Sequence, residues 1–559
     1  MKRAAGPIAV LAFGVLLLVP GLGRMGALDS TDARYLAIGR EMWATSDWLV
    51  PRLAGVPHLD KPPLTYWAAS LGYTLFGPTE FGGRFVEQLA LLATALVVYR
   101  AARRFADPSW AVPAALVLLT SGLPFALSRG LATDLFQLLF VTAALVAILD
   151  AATRRSSARV AAAGALLGIS MLAKGPIALL VATSVWLAFA IAMRDRARLP
   201  WRGVALGFAL FAAIGVPWYA LLVRNDPAIL DWFLEVQLAS RVTGTDRGHL
   251  KDASYLLRIW MLGLLPWTPL VALALARLRP RGRLRDADPV DVFLLAWALV
   301  PVLLFSLFPT KLGSYIAPAF PGAALVVARA GSRGLLDDRR ARRVLAACGI
   351  LVVVAALVAG SGLLIEAGLG LDLVPQLALH GSRASLGFGA GLIATAAIGV
   401  FALRRTSVMN TACACAATAL GTGLVLALAF HGVAAAFPTL REQGRIVQRV
   451  PGARLVEFSI KPSLFFYADA AGGVTLATVI GVVDPFVDAA TARRLTLSRD
   501  DALALLHEDV PTFALIDDEN SAALASDSGA AEVSRMGRYL LLANPAAVRA
   551  LAENQAAKP

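Results

Sequence analysis

The chain has 559 residues, of which 58% are hydrophobic and only 16% charged. Soluble proteins carry nearer a quarter charged residues, and here the apolar residues gather in runs of roughly 17–25, the length that crosses ~30 Å of hydrocarbon, which excludes a single large soluble core. The net charge of +14 falls mostly in short loops between these runs, with no basic stripe interleaved with aromatics, so the charge is read as membrane topology and a nucleic-acid partner is excluded.

The first run, 7–23, follows Lys2 and Arg3 as in a signal peptide, but no small-residue cleavage site comes after it. Pro20-Gly21-Leu22-Gly23 leads into a charged segment, and an uncleaved first helix is expected. Further runs lie near 84–99, 110–128, 131–150, 159–173, 175–193, 203–223, 254–276, 290–308, 314–330, 343–365, 384–403 and 411–437. Together they predict a polytopic α-helical membrane protein with about thirteen spans. Every second connector is rich in Arg: Arg100, Arg103 and Arg104, then Arg154, Arg155 and Arg159, then the groups at 194–202, 277–285, 329–343 and 404–405. The positive-inside rule puts this set and the N-terminus in the cytoplasm, in a plasma (inner) membrane, and an odd number of spans puts the C-terminus outside.

Three segments on the predicted outside are long. The first, 24–83, carries Asp29, Asp32, Arg34, Glu41, Asp47, Asp60 and Lys61, and its pattern predicts two short interfacial helices with Trp43, Trp48, Tyr66 and Trp67 at the bilayer surface. The second, 224–253, includes Asp226, Glu235, Arg241, His249 and Lys251. The third is the tail, 438–559, where short β-like runs at Arg454–Ser459, Leu464–Tyr467, Val474–Val479 and Thr512–Ile516 alternate with helical stretches such as Asp500–His507. The chain therefore divides into a membrane domain, 1–437, and a small soluble α/β domain, 438–559.

Few residues stand out chemically. Asp60-Lys61-Pro62-Pro63 opens a helix, with prolines tolerated in its first turn and an acid suited to its N-terminus. Asp134 begins an apolar run, either as an ionisable group at membrane depth with a functional role or as a helix N-cap. Lys174 and Lys311 each lie between two spans in a chain that otherwise prefers Arg, and fit either a phosphate-binding point charge or a snorkelling anchor. His58 and His249 are lone histidines and are read as surface residues. No spacing signature indicates a metal site. Cys413 and Cys415 face different sides of a helix, and with Cys348 they are read as packing residues without a disulfide.

The segment Asp29-Ser30-Thr31-Asp32-Ala33-Arg34-Tyr35, with Arg40-Glu41-Met42 and Asp47-Trp48-Leu49-Val50-Pro51, resembles the first outside loop of the bacterial aminoarabinose transferases that modify lipid A. It also resembles the wider protein mannosyltransferase-like group with the GT-C fold, glycosyltransferase families 83 and 39. Asp60-Lys61-Pro62 with Tyr66-Trp67, then Ala132-Thr133-Asp134, Lys174-Gly175 and Lys311-Leu312-Gly313-Ser314-Tyr315 follow in the expected order, and the resemblance covers about residues 10–330. It departs at one place: the family has an Asp-Glu pair before Arg-Tyr, where this chain reads Thr31-Asp32. The catalytic acid implied is therefore Asp32, or Asp29 if the chain shifts.

What the resemblance implies is an inverting transfer of a sugar from a polyprenyl monophosphate to a lipid or glycan acceptor such as lipid A, outside the cytoplasm and at the bilayer. A carboxylate would act on the acceptor, cations would stabilise the leaving phosphate, and Arg34, Tyr35, Asp60, Lys61, Asp134, Lys174, Arg241, Lys311 and Tyr315 would bind substrate. The donor carries its own activation, so no ATP is needed; relatives suggest a divalent metal, for which no clear ligand motif is present here. A protein O-mannosyltransferase-like enzyme, a polyprenyl-sugar flippase and a binding protein using the tail domain are the competing readings.

Overall fold

The computed structural model describes residues 2–29, 31–235, 250–369, 390–394, 396–397, 439–458, 461–468, 475–478, 497–517 and 529–556. Helix α1 (Lys2–Leu18) is followed by two short helices, α2 (Thr31–Thr45) and α3 (Leu64–Phe76), with a hairpin of β1 (Arg52–Leu53) and β2 (Val56–Pro57) between them. Then come α4 (Glu80–Phe105), α5 (Ala111–Leu119), α6 (Gly122–Leu127), α7 (Asp134–Arg154), α8 (Ser157–Lys174), α9 (Ile177–Met193), α10 (Trp201–Gly215), α11 (Pro217–Asn225) and α12 (Ala228–Trp232). The membrane part continues with α13 (Tyr255–Gly263), α14 (Thr268–Leu278), α15 (Pro289–Ser306), α16 (Ala319–Ser332) and α17 (Arg339–Leu369).

Among the described residues five helices are long and apolar enough to span a membrane: α4, α7, α8, α15 and the Arg339–Val358 part of α17. Two more apolar runs are broken rather than straight. The run 203–223 becomes α10 and α11, bent by 45°, and 254–276 becomes α13 and α14, bent by 107°. Proline explains both breaks, because Pro217 and Pro266 cannot continue the backbone hydrogen-bond ladder. The predicted run at 411–437, with Cys413 and Cys415, lies outside the described residues, as does most of 384–403.

Small residues set the closest approach in the bundle. A Cβ on Gly164 of α8 would lie 2.0 Å from the Gly207 carbonyl oxygen of α10, and a Cβ on Gly207 would lie 2.9 Å from the Val160 carbonyl. Gly203 and Gly207 are four apart, the spacing that lets two membrane helices touch backbone to backbone.

The Arg-rich connectors among the described residues meet at one end of the bundle. Arg104, Arg154 and Arg159 converge on the buried Asp150, at 3.1, 3.1 and 2.6 Å. Arg329 pairs with Asp288 and Asp291 and donates to the Phe105 carbonyl, while Arg277 pairs with Asp338. The alternation read from the sequence is thus a physical separation of two ends. The hairpin, α2 and α3 sit at the other end.

The C-terminal residues form a five-stranded mixed sheet in the order β4 (Thr475–Thr478), β3 (Arg454–Glu457), β5 (Thr512–Asp517), β7 (Tyr539–Ala543), β6 (Ala531–Met536). The first three strands are parallel and the last two run antiparallel to their neighbours. Helices α18 (Arg441–Gln448), α19 (Pro462–Ala468), α20 (Arg499–His507) and α21 (Pro545–Ala556) accompany it. One sequence reading is corrected here: Leu464–Tyr467 is helical, part of α19, and not a strand. All seven residues of α19 are buried, so the short apolar run shows neither helical nor strand periodicity, and Pro462 opens its first turn. Strands β6 and β7 were not legible in the sequence.

Candidate functional site

The site is built at the end of the bundle away from the Arg-rich connectors. Its first part is the hairpin. Ala54 and Gly55 both have positive φ, 57° and 81°, the geometry of a tight two-residue turn that matches strand twist. The turn brings the chain back so that His58 donates its backbone N–H to the Pro51 carbonyl at 2.7 Å. Leu59 is buried in a cluster with Trp218, Leu222 and Ile229, against which Leu172 of α8 also packs. Trp218 fixes the hairpin from the other side by donating to the Leu49 carbonyl at 2.9 Å. His58, Asp60 and Lys61 are thereby held against α2 and α3.

There they meet Arg34, Tyr35 and Tyr66. Tyr35 and Tyr66 stack edge to face with centroids 5.4 Å apart. Tyr66 is fully buried, and its hydroxyl has no hydrogen-bond partner among the described residues. Lys61 Nζ donates to the Asp60 carbonyl at 2.9 Å. His58, read from the sequence as a surface residue, is instead largely enclosed, with Nε2 3.6 Å from Asp60 Oδ2. Enclosure and the nearby charges of Arg34 and Lys61 outweigh Asp60 and push its pKa down to about 4.

That shift has a sign. An unfolded histidine titrates near 6.5, so between pH 6.5 and about 4 the unfolded chain binds a proton that the fold refuses. His58 therefore contributes stability above pH 6.5 that is lost as the pH falls toward 4. The thermal midpoint of the detergent-solubilised protein is expected to drop across this window, and less steeply in His58→Asn. Parallel curves would show that His58 does not carry the effect.

The second part joins α7, α8 and the 310–315 segment. Lys174, the last residue of α8, donates to Asp134 Oδ1 at 2.5 Å, with both side chains buried. Its ammonium lies 5.2 Å from the centre of the Tyr315 ring, a favourable cation–π distance. Asp134 is the first residue of α7, and Thr133 before it makes no side-chain cap bond. Lys311 is buried and donates to the Lys251 carbonyl at 2.9 Å. Arg241 and His249 lie outside the described residues.

Asp32 occupies a third place. Its carboxylate is buried and receives four donors: Arg84 Nε at 3.1 Å and the Leu131 amide at 2.6 Å on Oδ1, Arg84 Nη2 at 2.5 Å and the Leu28 amide at 2.9 Å on Oδ2. Arg84 in turn uses its remaining N–H groups on the carbonyls of Leu22, Met25 and Gly26, at 3.0, 2.7 and 2.8 Å. All five guanidinium donors are spent. One turn along α4, Glu87 accepts from the Ala132 amide at 3.0 and 3.2 Å, and Gln88 donates to the Ser128 carbonyl at 2.8 Å. Asp32, Glu87 and Gln88 together hold the 128–132 segment that delivers Asp134. Asp29 lies further out, accepting from the Ser463 amide of α19 at 2.9 Å, and burial raises its pKa.

Arg84, Glu87 and Gln88 were missed in the sequence, where 84–99 reads as an apolar run. The signal was present: two charges and an amide at i, i+3 and i+4 at the head of a span, on one helix face. Among the described residues no three His, Cys, Asp or Glu side chains converge as metal ligands.

Each part of the site sets cations beside an aromatic ring next to apolar helices: Arg34 and Lys61 near Tyr35 and Tyr66, and Lys174 over Tyr315. Residues 60–219 match the family described as dolichyl-phosphate-mannose-protein mannosyltransferase. The chain is 33% identical over 411 residues to an undecaprenyl phosphate-alpha-4-amino-4-deoxy-L-arabinose arabinosyl transferase of Edwardsiella ictaluri, covering 72% of each protein. It is 32% identical over 385 residues to one of the same name from Sodalis glossinidius, covering 65% of this chain and 67% of that protein. Among solved structures, ArnT from Cupriavidus metallidurans bound to undecaprenyl phosphate superposes with a TM-score of 0.78 over 98% of this chain and 99% of that one, at 23% identity. That likeness is one of fold.

Proposed function

Because the chain belongs to the undecaprenyl phosphate-aminoarabinose arabinosyl transferase family, and is a membrane glycosyltransferase that works from a polyprenyl-phosphate sugar, we propose that it moves an aminoarabinose-type sugar from undecaprenyl phosphate to lipid A or a related envelope glycan. The Arg-rich end faces the cytoplasm in this reading, following the positive-inside rule. The hairpin, α2, α3 and the C-terminal sheet face outward.

The observations that support the reading are two cation clusters at the end of the bundle away from the Arg-rich connectors, Arg34 and Lys61 around His58 and the Asp134–Lys174–Tyr315 group at the head of α7 and the end of α8. In the transfer, an oxygen of the acceptor forms a new bond to the anomeric carbon as the bond between that carbon and the donor phosphate oxygen breaks, and the donor oxygen leaves with the electron pair. Arg34, Lys61, Lys174 and Lys311 stabilise the charge that grows there. Tyr35 and Tyr66 offer a stacking face and a hydroxyl to the donor head group. Arg241, in the second long loop, is a further substrate-binding cation. A phosphate monoester acceptor has its second pKa near 6 and is already an anionic nucleophile at neutral pH, so it needs no general base. Asp32 and Asp29, the two acids singled out by the family resemblance, then serve as positioning residues: Asp32 anchors the 128–132 segment and Asp29 holds α19.

Deleting the gene in its native host and weighing envelope lipids tests this. The expected result is loss of a sugar mass from lipid A with accumulation of the undecaprenyl-phosphate-linked sugar. Unchanged lipids with a changed glycoprotein mass would replace it with a polypeptide acceptor. Unchanged lipids and proteins would overturn it.

A further inference from the structure

Helix α19 of the C-terminal sheet domain is gripped at both ends by the segment that carries Arg34 and Tyr35. At its start, Asp29 accepts the Ser463 amide at 2.9 Å. At its end, Arg40 of α2 donates to the Phe465 carbonyl at 3.2 Å and to the Phe466 carbonyl, with its guanidinium 5.7 and 5.1 Å from the two ring centres. Helix ends leave amides and carbonyls without partners. An acid at the start and a base at the finish also complement the helix dipole.

A third tie runs through Tyr467. Its hydroxyl accepts from the Ala27 amide at 2.6 Å and donates to Glu80 Oε1 at 2.7 Å. Arg441 of α18 pairs with the same Glu80 and lies 5.6 Å from the centre of the Tyr467 ring. The gap between these ties is filled by one apolar cluster in which Phe465, Phe466 and Tyr467 join Ala27, Tyr35, Leu36 and Tyr66. Tyr35 and Tyr66, which line the site, therefore share a core with the C-terminal domain.

We propose that the C-terminal domain is a clamp on the transfer site, which holds α2 in register through α19 and makes Arg40, Glu80, Arg441 and Tyr467 positioning residues for Arg34 and Tyr35. The inference rests on the transferase reading above. A domain that merely sat beside the site would leave turnover unchanged when the ties are cut.

Charge reversal separates the two. Glu80→Lys and Arg441→Glu, each alone and then together, are compared in purified full-length protein with undecaprenyl-phosphate-linked aminoarabinose and lipid A. Each single variant is expected to lose about tenfold or more in kcat, since misplacement of a catalytic group by ~1 Å costs up to ~100-fold. The double variant is expected to recover most of that loss. Tyr467→Phe keeps the ring in its cluster but leaves the buried Ala27 amide without its partner, and is expected to lower both kcat and the thermal midpoint. Limited proteolysis of the C-terminal domain gives a readout independent of catalysis: faster in both single variants, restored in the double. Wild-type kcat in the single variants and in Tyr467→Phe, or a double variant no better than the singles, would overturn the clamp. If wild-type protein itself transferred no sugar, the transferase reading and the positioning role would fall together, while the proteolysis pattern would still report the interdomain contact.

Discussion

Replacing Arg84 by leucine is expected to destabilise the protein by about 3–5 kcal/mol, the typical result of removing one partner of a buried ion pair. The cost follows from the bonding of one side chain. Arg84 is fully buried and spends every N–H: two on Asp32 and three on the carbonyls of Leu22, Met25 and Gly26. Leucine would leave a buried carboxylate without its counter-charge and three carbonyls without a donor. Lysine keeps the charge but offers three donors in place of five, so Arg84→Lys is expected to recover only part of the loss. Asp32→Asn keeps the shape and places an amide against the guanidinium. Its thermal midpoint should fall together with its activity, and the fall should shrink in combination with Arg84→Leu. The midpoint of each purified variant, set beside its turnover, decides the role of Asp32. A catalytic base would lose turnover and keep its midpoint.

Lys61→Ala is expected to do the opposite. Lys61 is half-buried on the hairpin's exit and donates to the carbonyl of its neighbour Asp60, so its loss removes little packing and should leave the thermal midpoint nearly unchanged. Removing one charge from a site that stabilises a leaving phosphate costs ~10²–10³ in kcat. Arg34→Ala, on the facing helix, should show the same pattern. Lys174→Met should combine both effects, because Asp134 would lose its buried partner at 2.5 Å as well as the site its cation. Turnover and midpoint measured on the same preparations sort these residues, and a Lys61→Ala protein with wild-type kcat would remove Lys61 from the phosphate site.

Much of this was legible in the sequence, for a physical reason. Apolar runs long enough to span a bilayer and Arg-rich connectors are strong signals, so the helices from 2 to 369 fall close to where the runs predict them. The Asp-Lys and Lys-Leu-Gly-Ser-Tyr motifs likewise marked residues that the fold brings to one end of the bundle. Roles were harder to see than places. The resemblance marks Asp32 as an acid in a motif; the fold adds the four donors that close on it, from residues up to 99 positions away in sequence. Arg84 and Glu87 were hidden inside an apolar run because a buried ion-pair network is defined by partners distant in sequence. His58 looked like a surface residue because nothing local announces that a hairpin will enclose it. Helix α19 was misread because a short segment buried on all sides loses the periodicity that distinguishes helix from strand.

In the proposed reaction this chain moves a sugar off a polyprenyl phosphate by neutralising the phosphate left behind. A single-turnover assay tests it most directly: purified protein in excess over undecaprenyl-phosphate-linked aminoarabinose, with lipid A present, followed by mass spectrometry. The expected result is release of undecaprenyl phosphate and a matching mass gain on lipid A with wild-type protein, both slowed ~10²–10³ in Lys61→Ala. Intact donor after incubation with folded wild-type protein, or equal rates in Lys61→Ala, would contradict it.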